Sequence, residues 1–243
     1  MEDAFGASDT EGAWVWKDAY EAVEAAQILM LDRYGNAMQA QANSPSQFLF
    51  MIKKLAALAP THTRRSEEMI ALQQFSTPLP LAAIAAHITG MTAADTVLEP
   101  SAGTGMLAVF AKLAGASLTL NELADTRAEL LSLLFPGTEV TSLDAASIDD
   151  RLNRSCEPTI VLMNPPFSVA PNVEGRFRGA TSQHVLSALS RLTPGGRMVV
   201  ITGANFNPTA AAYRASLPQI TKLGRVVFSV PIAGKLFVSH GTS

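Results

Sequence analysis

The tetrapeptide Asn164-Pro165-Pro166-Phe167 has residue types that point to one chemistry. Two successive prolines stiffen the backbone and remove two N–H donors, so the carbonyl between them is left to accept. The Asn164 side-chain oxygen is a second acceptor. Phe167 offers a flat face on which a base can stack. The exocyclic amino nitrogen of a base is a poor nucleophile, because its lone pair is delocalised into the ring. Two acceptors gripping its hydrogens favour a pyramidal nitrogen with an available lone pair. Attack on a methyl group carried by a sulfonium then needs alignment more than acid–base chemistry. No Cys or His nucleophile signature accompanies the tetrapeptide. The competing reading is a rigid turn after a buried strand.

A second group of residues has the types needed to hold an adenosine-containing ligand. Glu99-Pro100-Ser101-Ala102-Gly103-Thr104-Gly105 is a glycine loop. Its glycines allow a sharp turn and close approach to a ligand, and the helix expected after it adds free N–H donors. Glu122 can accept hydrogen bonds from both ribose hydroxyls, or it is a surface acid. Asp144 can accept from an adenine amino group while Leu143 packs on the ring, or Asp144 is a helix cap. The ordered series of glycine loop, acid and acid carries more weight than any one member.

These residues need strands to position them. From Phe75 onward, short β-rich runs alternate with helical segments. Strands are expected at 96–99, 117–122, 139–144, 159–164, 197–202 and 224–230. Helices are expected at 79–89, 106–114, 125–134, 183–192 and 208–217. That alternation predicts an α/β, doubly wound, mainly parallel Rossmann-like sheet covered on both faces. In such sheets ligands bind beyond the C-terminal strand ends, where all the residues above fall. Residues 1–74 read instead as an N-terminal helical arm, with helices over 13–40, from Pro45 to about Ala59, and over 66–74. The domain boundary is placed at 74/75.

Composition is that of a globular chain, with 48% hydrophobic and 16% charged residues. No stretch reaches the roughly 18 uninterrupted apolar residues of a membrane span, so no membrane partner is expected. The acidic N-terminus is not a signal peptide. Cys156 is the only cysteine, which excludes an intrachain disulfide and fits a reducing cytoplasm. Charge is uneven: residues 151–243 hold ten Lys/Arg against two Asp/Glu, whereas 75–150 hold two against nine. A basic segment of this size suggests a polyanionic partner, such as nucleic acid. No His/Cys/Asp cluster has metal-ligand spacing.

EPSAGTG and NPPF resemble the cofactor and catalytic motifs of the amino-methylating DNA methyltransferases. Phe75-Ser76-Thr77-Pro78 resembles their further cofactor motif, upstream of the glycine loop in one motif order. The resemblance covers roughly residues 74–239. It implies S-adenosylmethionine as cofactor, with Phe75, Thr77, Glu99, Gly103 and Gly105 near its methionine moiety and Pro78, Pro100, Ala102 and Asn164 also in the cofactor site. It further implies Glu122 on the ribose, Leu143 and Asp144 on the adenine, and Asn164 to Phe167 on the target base. More narrowly, the chain resembles the methylase portion of bacterial strawberry-notch-type methylase–helicase proteins, common on mobile elements, which implies a fused or associated helicase region. That family's sheet usually closes with a seventh, antiparallel strand after a segment like GKLFVSHGTS. The chain stops where that strand should begin, so the resemblance predicts a natural truncation or a fragment, with apolar surface exposed around 226–230.

The leading expectation is methylation of adenine N6 in DNA, which the motif order favours over an RNA base. Protein-glutamine methylation fits less well, since those enzymes usually carry Tyr where Phe167 stands. A non-catalytic module binding S-adenosylmethionine or DNA remains open. Residues 168–181, with Arg176 and Arg178 flanking Phe177, are expected to form a mobile loop over a flipped base, or an ordinary connector. Trp14 and Trp16 are expected to pack, His184 to pack or cap, and Lys53, Lys54, Arg64 and Arg65 to be solvated.

Overall fold

The structure is a computed structural model that describes residues 1–60, 76–166 and 180–233. A four-residue helix (Glu2–Phe5) precedes two longer ones. α1 (Trp16–Gln41) begins where Val15 N–H donates to Asp18, 2.9 Å away. α2 (Pro45–Ala56) has Ser44 as its cap, accepting from Gln47 N–H, and proline in its first turn. α3 (Leu79–Thr89) leads into β1 (Thr96–Glu99). α4 (Ala108–Leu113), β2 (Ser117–Asn121), α5 (Asp125–Leu134) and β3 (Glu139–Thr141) follow. A short turn and α6 (Ile148–Arg151) precede β4 (Ile160–Met163). α7 (Ala180–Arg191), β5 (Arg197–Val200) and α8 (Ala211–Leu223) follow.

The five strands form one parallel sheet in the order β3-β2-β1-β4-β5. Side chains along a strand point alternately to its two faces, so each strand feeds two cores. Val97, Leu120, Ile160 and Leu162 join one core, with Ile28 and Leu31 of α1, Ile52 of α2 and residues of α3, α4 and α5. Leu98, Val161 and Met163 join the other, with Ile148, Val185, Ala188 and Ile220 from α6, α7 and α8. β4 is buried along its whole length, which matches its unbroken apolar sequence. The helices of the arm thus share a core with the sheet. The expected 74/75 boundary, the expected helix at 66–74 and Arg64-Arg65 lie outside the described residues.

Two expectations need correction. Residues 224–230 do not form a strand: they are irregular, and Val227 and Phe228 are 74% and 57% exposed. A strand exists only through a ladder with a neighbour, and among the described residues β5 pairs only with β4. The helix expected to end at Leu217 runs on to Leu223 with Pro218 inside it. Proline there removes one N–H, but Ile220 is buried in the second core and holds the last turns in place. Among the described residues no helix is long and apolar enough to cross a membrane.

Candidate active site

The chain winds from β1 outward to β3 and then returns past β1 to lay down β4. Neighbouring connections diverge there, which opens a crevice at the carboxyl ends of β1 and β4. Glu99 ends β1 on one side of it and Asn164 follows β4 on the other.

The glycine loop fills the turn after β1. Gly103 (φ +57°) and Gly105 (φ +95°) both adopt the left-handed region. At Gly105 a Cβ would collide with the Phe135 ring, whereas at Gly103 the nearest heavy atom would be Arg127 Nη1 at 3.9 Å. Gly105 therefore serves packing, and Gly103 leaves the backbone open. Ala102 N–H donates to the Asn121 carbonyl and Gly105 N–H to the Ala102 carbonyl. Regular helix begins only at Ala108, later than the expected 106, because residues 103–107 are spent on this turn.

Glu122 is buried and grips the loop: its Oε2 accepts from Gly103 N–H at 2.8 Å and its Oε1 from Ala124 N–H at 3.0 Å. Glu99 is 1% exposed, and its Oε2 is buried with no hydrogen-bond partner among the described residues. Burial pushes its carboxyl well above its ordinary value of 4.5; the Ala108 N–H opposes that shift and the Glu122 charge adds to it. The fold therefore favours Glu99 in its neutral form. Asp144 is exposed, and its Oδ1 accepts from Ala146 N–H at 2.9 Å, so the capping role foreseen for it is real. Leu143 is half-buried against the second core.

At the other side of the crevice, Asn164 Nδ2 donates to Thr77 Oγ1 at 3.0 Å. This bond joins the FSTP and NPPF segments, 87 residues apart in sequence. Thr77 is buried, as is Pro165, and Pro78 sits at the start of α3. The Pro166 carbonyl accepts from Thr181 Oγ1 in the first turn of α7. Phe75, Phe167 and the segment carrying Arg176, Phe177 and Arg178 lie outside the described residues.

Asn121 was not foreseen as a site residue. Its Nδ2 donates to the carbonyls of Pro100 and Leu143, and its Oδ1 accepts from Thr141 Oγ1 and Leu143 N–H. One buried amide thereby ties the ends of β1, β2 and β3 together. The only sequence signal was its place before Glu122 at a strand end. Two acids of α1 were missed as well: Glu24 accepts from Thr104 Oγ1, and Glu21 pairs with Arg127, each at 2.6 Å.

Other residues have ordinary roles. Trp14 and Trp16 meet edge to face with ring centroids 5.7 Å apart, and their indole N–H groups donate to the Ala7 carbonyl and to Asp9. Burial lowers the pKa of His184 against the pull of Asp144. Lys54 lies over the Phe50 ring. Among the described residues no group of His, Cys, Asp and Glu could hold a metal. A groove of about 710 Å³ between α2, α3 and α4 sits at the opposite end of the sheet, and His87 is the one titratable side chain among its described walls.

No protein-family model matches the chain, and no curated protein matches it by sequence. Solved structures do. A candidate RNA methyltransferase from Pyrococcus horikoshii superposes with TM-score 0.50 at 20% identity, over 72% of this chain and 80% of that one. The methyltransferase subunit of a type I restriction–modification system from Streptococcus thermophilus also gives 0.50, at 16% identity, over 73% of this chain. The fold is that of a Rossmann-like methyltransferase. TrmN from Thermus thermophilus is similar at TM-score 0.47 and 20% identity over 58% of this chain. The chain spans less than half the length of TrmN and of the streptococcal subunit, 41% and 42%.

Proposed function

We propose that this chain transfers a methyl group from S-adenosylmethionine to an exocyclic amino group of a nucleobase, with adenine N6 in DNA as the target. The observation that carries this reading is the position of Asn164-Pro165-Pro166: it leaves β4 at the crevice, opposite Glu99 and the glycine loop. The residues fit the cofactor. Glu99 Oε2 is a buried acceptor with no donor among the described residues, and a cationic ligand beside it would draw the carboxyl into its charged form. Gly103 exposes backbone that a side chain would cover.

When bound, S-adenosylmethionine supplies an electrophilic methyl group on a sulfonium centre. Glu99 and the glycine loop would hold its methionine end, Glu122 the ribose, and Leu143 with Asp144 the adenine. Asn164 Oδ1 and the Pro165 carbonyl would accept the two amino hydrogens of the target base. That grip directs the nitrogen lone pair at the methyl group and disfavours its delocalisation into the ring. Thr77 fixes the Asn164 amide through its hydroxyl. Neither acceptor is a base, so the proton shed after transfer leaves to water. Exposed Arg151, Arg154, Arg214, Lys222 and Arg225 suit a phosphate backbone. Arg191 and Arg197 are spent internally, on the Asn153 and Cys156 carbonyls and on Asp95.

An RNA base is the second reading, favoured by the archaeal structure's equal TM-score. Incubation with methyl-labelled S-adenosylmethionine and duplex DNA, RNA or peptide tests both. The expected result is label in DNA, released as N6-methyl-2'-deoxyadenosine on nuclease digestion and abolished in Asn164→Ala. Label in RNA alone selects the second reading. Transfer that survives Asn164→Ala defeats the mechanism, and no transfer to any substrate points to a binding module.

A further inference from the structure

We propose that α1 is a working part of the cofactor platform: Glu24 and Glu21 are positioning residues that set the glycine loop for S-adenosylmethionine, an assignment that rests on the cofactor reading above. Thr104 lies between the two left-handed glycines, and its Oγ1 donates to Glu24 Oε2 at 2.6 Å. Thr104 is 3% exposed and Glu24 4%. Glu21, one turn earlier on the same face, accepts from Arg127 Nε at 2.6 Å. Arg127 is equally buried, and its Nη1 is the atom nearest the open side of Gly103. Glu122 holds Gly103 N–H from the strand side. The loop is thus clamped between β2 and a helix about 80 residues away in sequence.

The buried face of α1 is divided along its length. Lys17, Tyr20, Glu24 and Gln27 are buried toward its start, at the loop end. Ile28, Leu31 and Gly35 follow on the buried face, where Gly35 lets Leu113 of α4 approach too closely for a Cβ. An apolar interface alone tolerates small axial slips, whereas a buried and a half-buried carboxyl three residues apart, each with its own partner, define one register. Such groups cost free energy when unpaired, so they are a poor way merely to attach a helix. Their partners, Thr104 next to Gly103 in the loop and Arg127 nearest its open side, assign them to the loop.

Titration calorimetry of the full chain with S-adenosylmethionine and with S-adenosylhomocysteine tests this, alongside melting of the cofactor-free protein. Thr104→Val and Glu24→Leu should each weaken binding about tenfold, as expected when a hydrogen bond to a charged group is removed. The double variant should be no weaker than either single one, because both substitutions remove the same bond. Thr104→Ser and Glu24→Gln, which keep donor and acceptor, should restore binding, and Thr104→Val should melt within a few degrees of wild type. Should Glu24→Leu not fold, the Thr104→Val and Thr104→Ser pair decides the question. Wild-type affinity in Thr104→Val overturns the positioning role and leaves the cofactor reading intact. A wild-type chain that binds neither ligand overturns the cofactor reading, and this assignment with it.

Discussion

The Asn121 side chain both donates to the Leu143 carbonyl and accepts from the Leu143 N–H, at 2.9 and 2.8 Å. The same amide donates to the Pro100 carbonyl, so three strand ends hang on one side chain that is 1% exposed. Asn121→Ala should cost about 2–4 kcal/mol of stability, since it strands buried carbonyls as well as removing bonds. Asn121→Asp should lose both donations while keeping its volume. Urea denaturation measures both, and a loss below about 0.5 kcal/mol would show that the hub is dispensable.

The two glycines of the loop should separate stability from binding. Gly105→Ala combines a left-handed backbone with a clash on Phe135, so it should cost several kcal/mol, roughly 2–5, and lower soluble yield. Gly103→Ala has space around it and should cost only about 1–2 kcal/mol of backbone strain. On the proposed cofactor placement its Cβ would face the ligand, so S-adenosylmethionine affinity should fall by more than its stability loss explains. Calorimetric binding set beside thermal melting distinguishes the two variants.

Glu99 should give the cofactor-free protein a pH signature. Its folded pKa lies well above its ordinary value, so the unfolded chain releases this proton first as pH rises. The stabilisation associated with the protonated form is complete below about pH 4.5 and is lost as pH climbs toward the folded pKa. Glu99→Gln should flatten that dependence and raise stability at the alkaline side. Binding of a cationic ligand beside Glu99 should expel a proton, so affinity should rise with pH in wild type and not in Glu99→Gln. Titrations in buffers of different ionisation enthalpy measure the proton released.

The bond between Asn164 and Thr77 predicts a split between binding and turnover. Asn164→Ala should lower kcat by about 10²–10³, the usual range when one group that stabilises the transition state is removed. Thr77→Val should lower kcat less and leave the S-adenosylmethionine Kd nearly unchanged, because it frees the amide without removing it. Equal losses in both variants would mean that Thr77 itself touches the cofactor.

Neutralising exposed Arg214 and Arg225 should weaken DNA binding across sequences and lower the salt-dependence slope by about 0.9 for each phosphate no longer neutralised. Arg197→Ala should leave that slope unchanged, because Arg197 is occupied by Asp95. Its stability cost should stay under about 1 kcal/mol, as for an exposed pair. Salt titrations of duplex binding check both.

Much of this protein was determined by local sequence. Alternating short apolar runs and amphipathic segments sufficed for β1, α3 and α5 to the residue, because periodicity and punctuating Gly and Pro act over a few positions. The glycine loop, Glu122 and Asn164-Pro165-Pro166 stood out as strand-end residues for the same reason. Tertiary structure decided the rest. Whether Gly224 to Val230 pairs depends on a neighbour that no local pattern specifies. Asn121 looked like a strand-end residue of no distinction, and became a hub only once Pro100 and Leu143 were brought to it. Nothing in the sequence set Glu24 and Glu21 apart within the helix expected over 13–40; packing against Thr104 and Arg127, some 80 and 106 positions away, turned them inward. Residue type limits which bonds a side chain can make, but only the packed chain determines which partners come within about 3 Å.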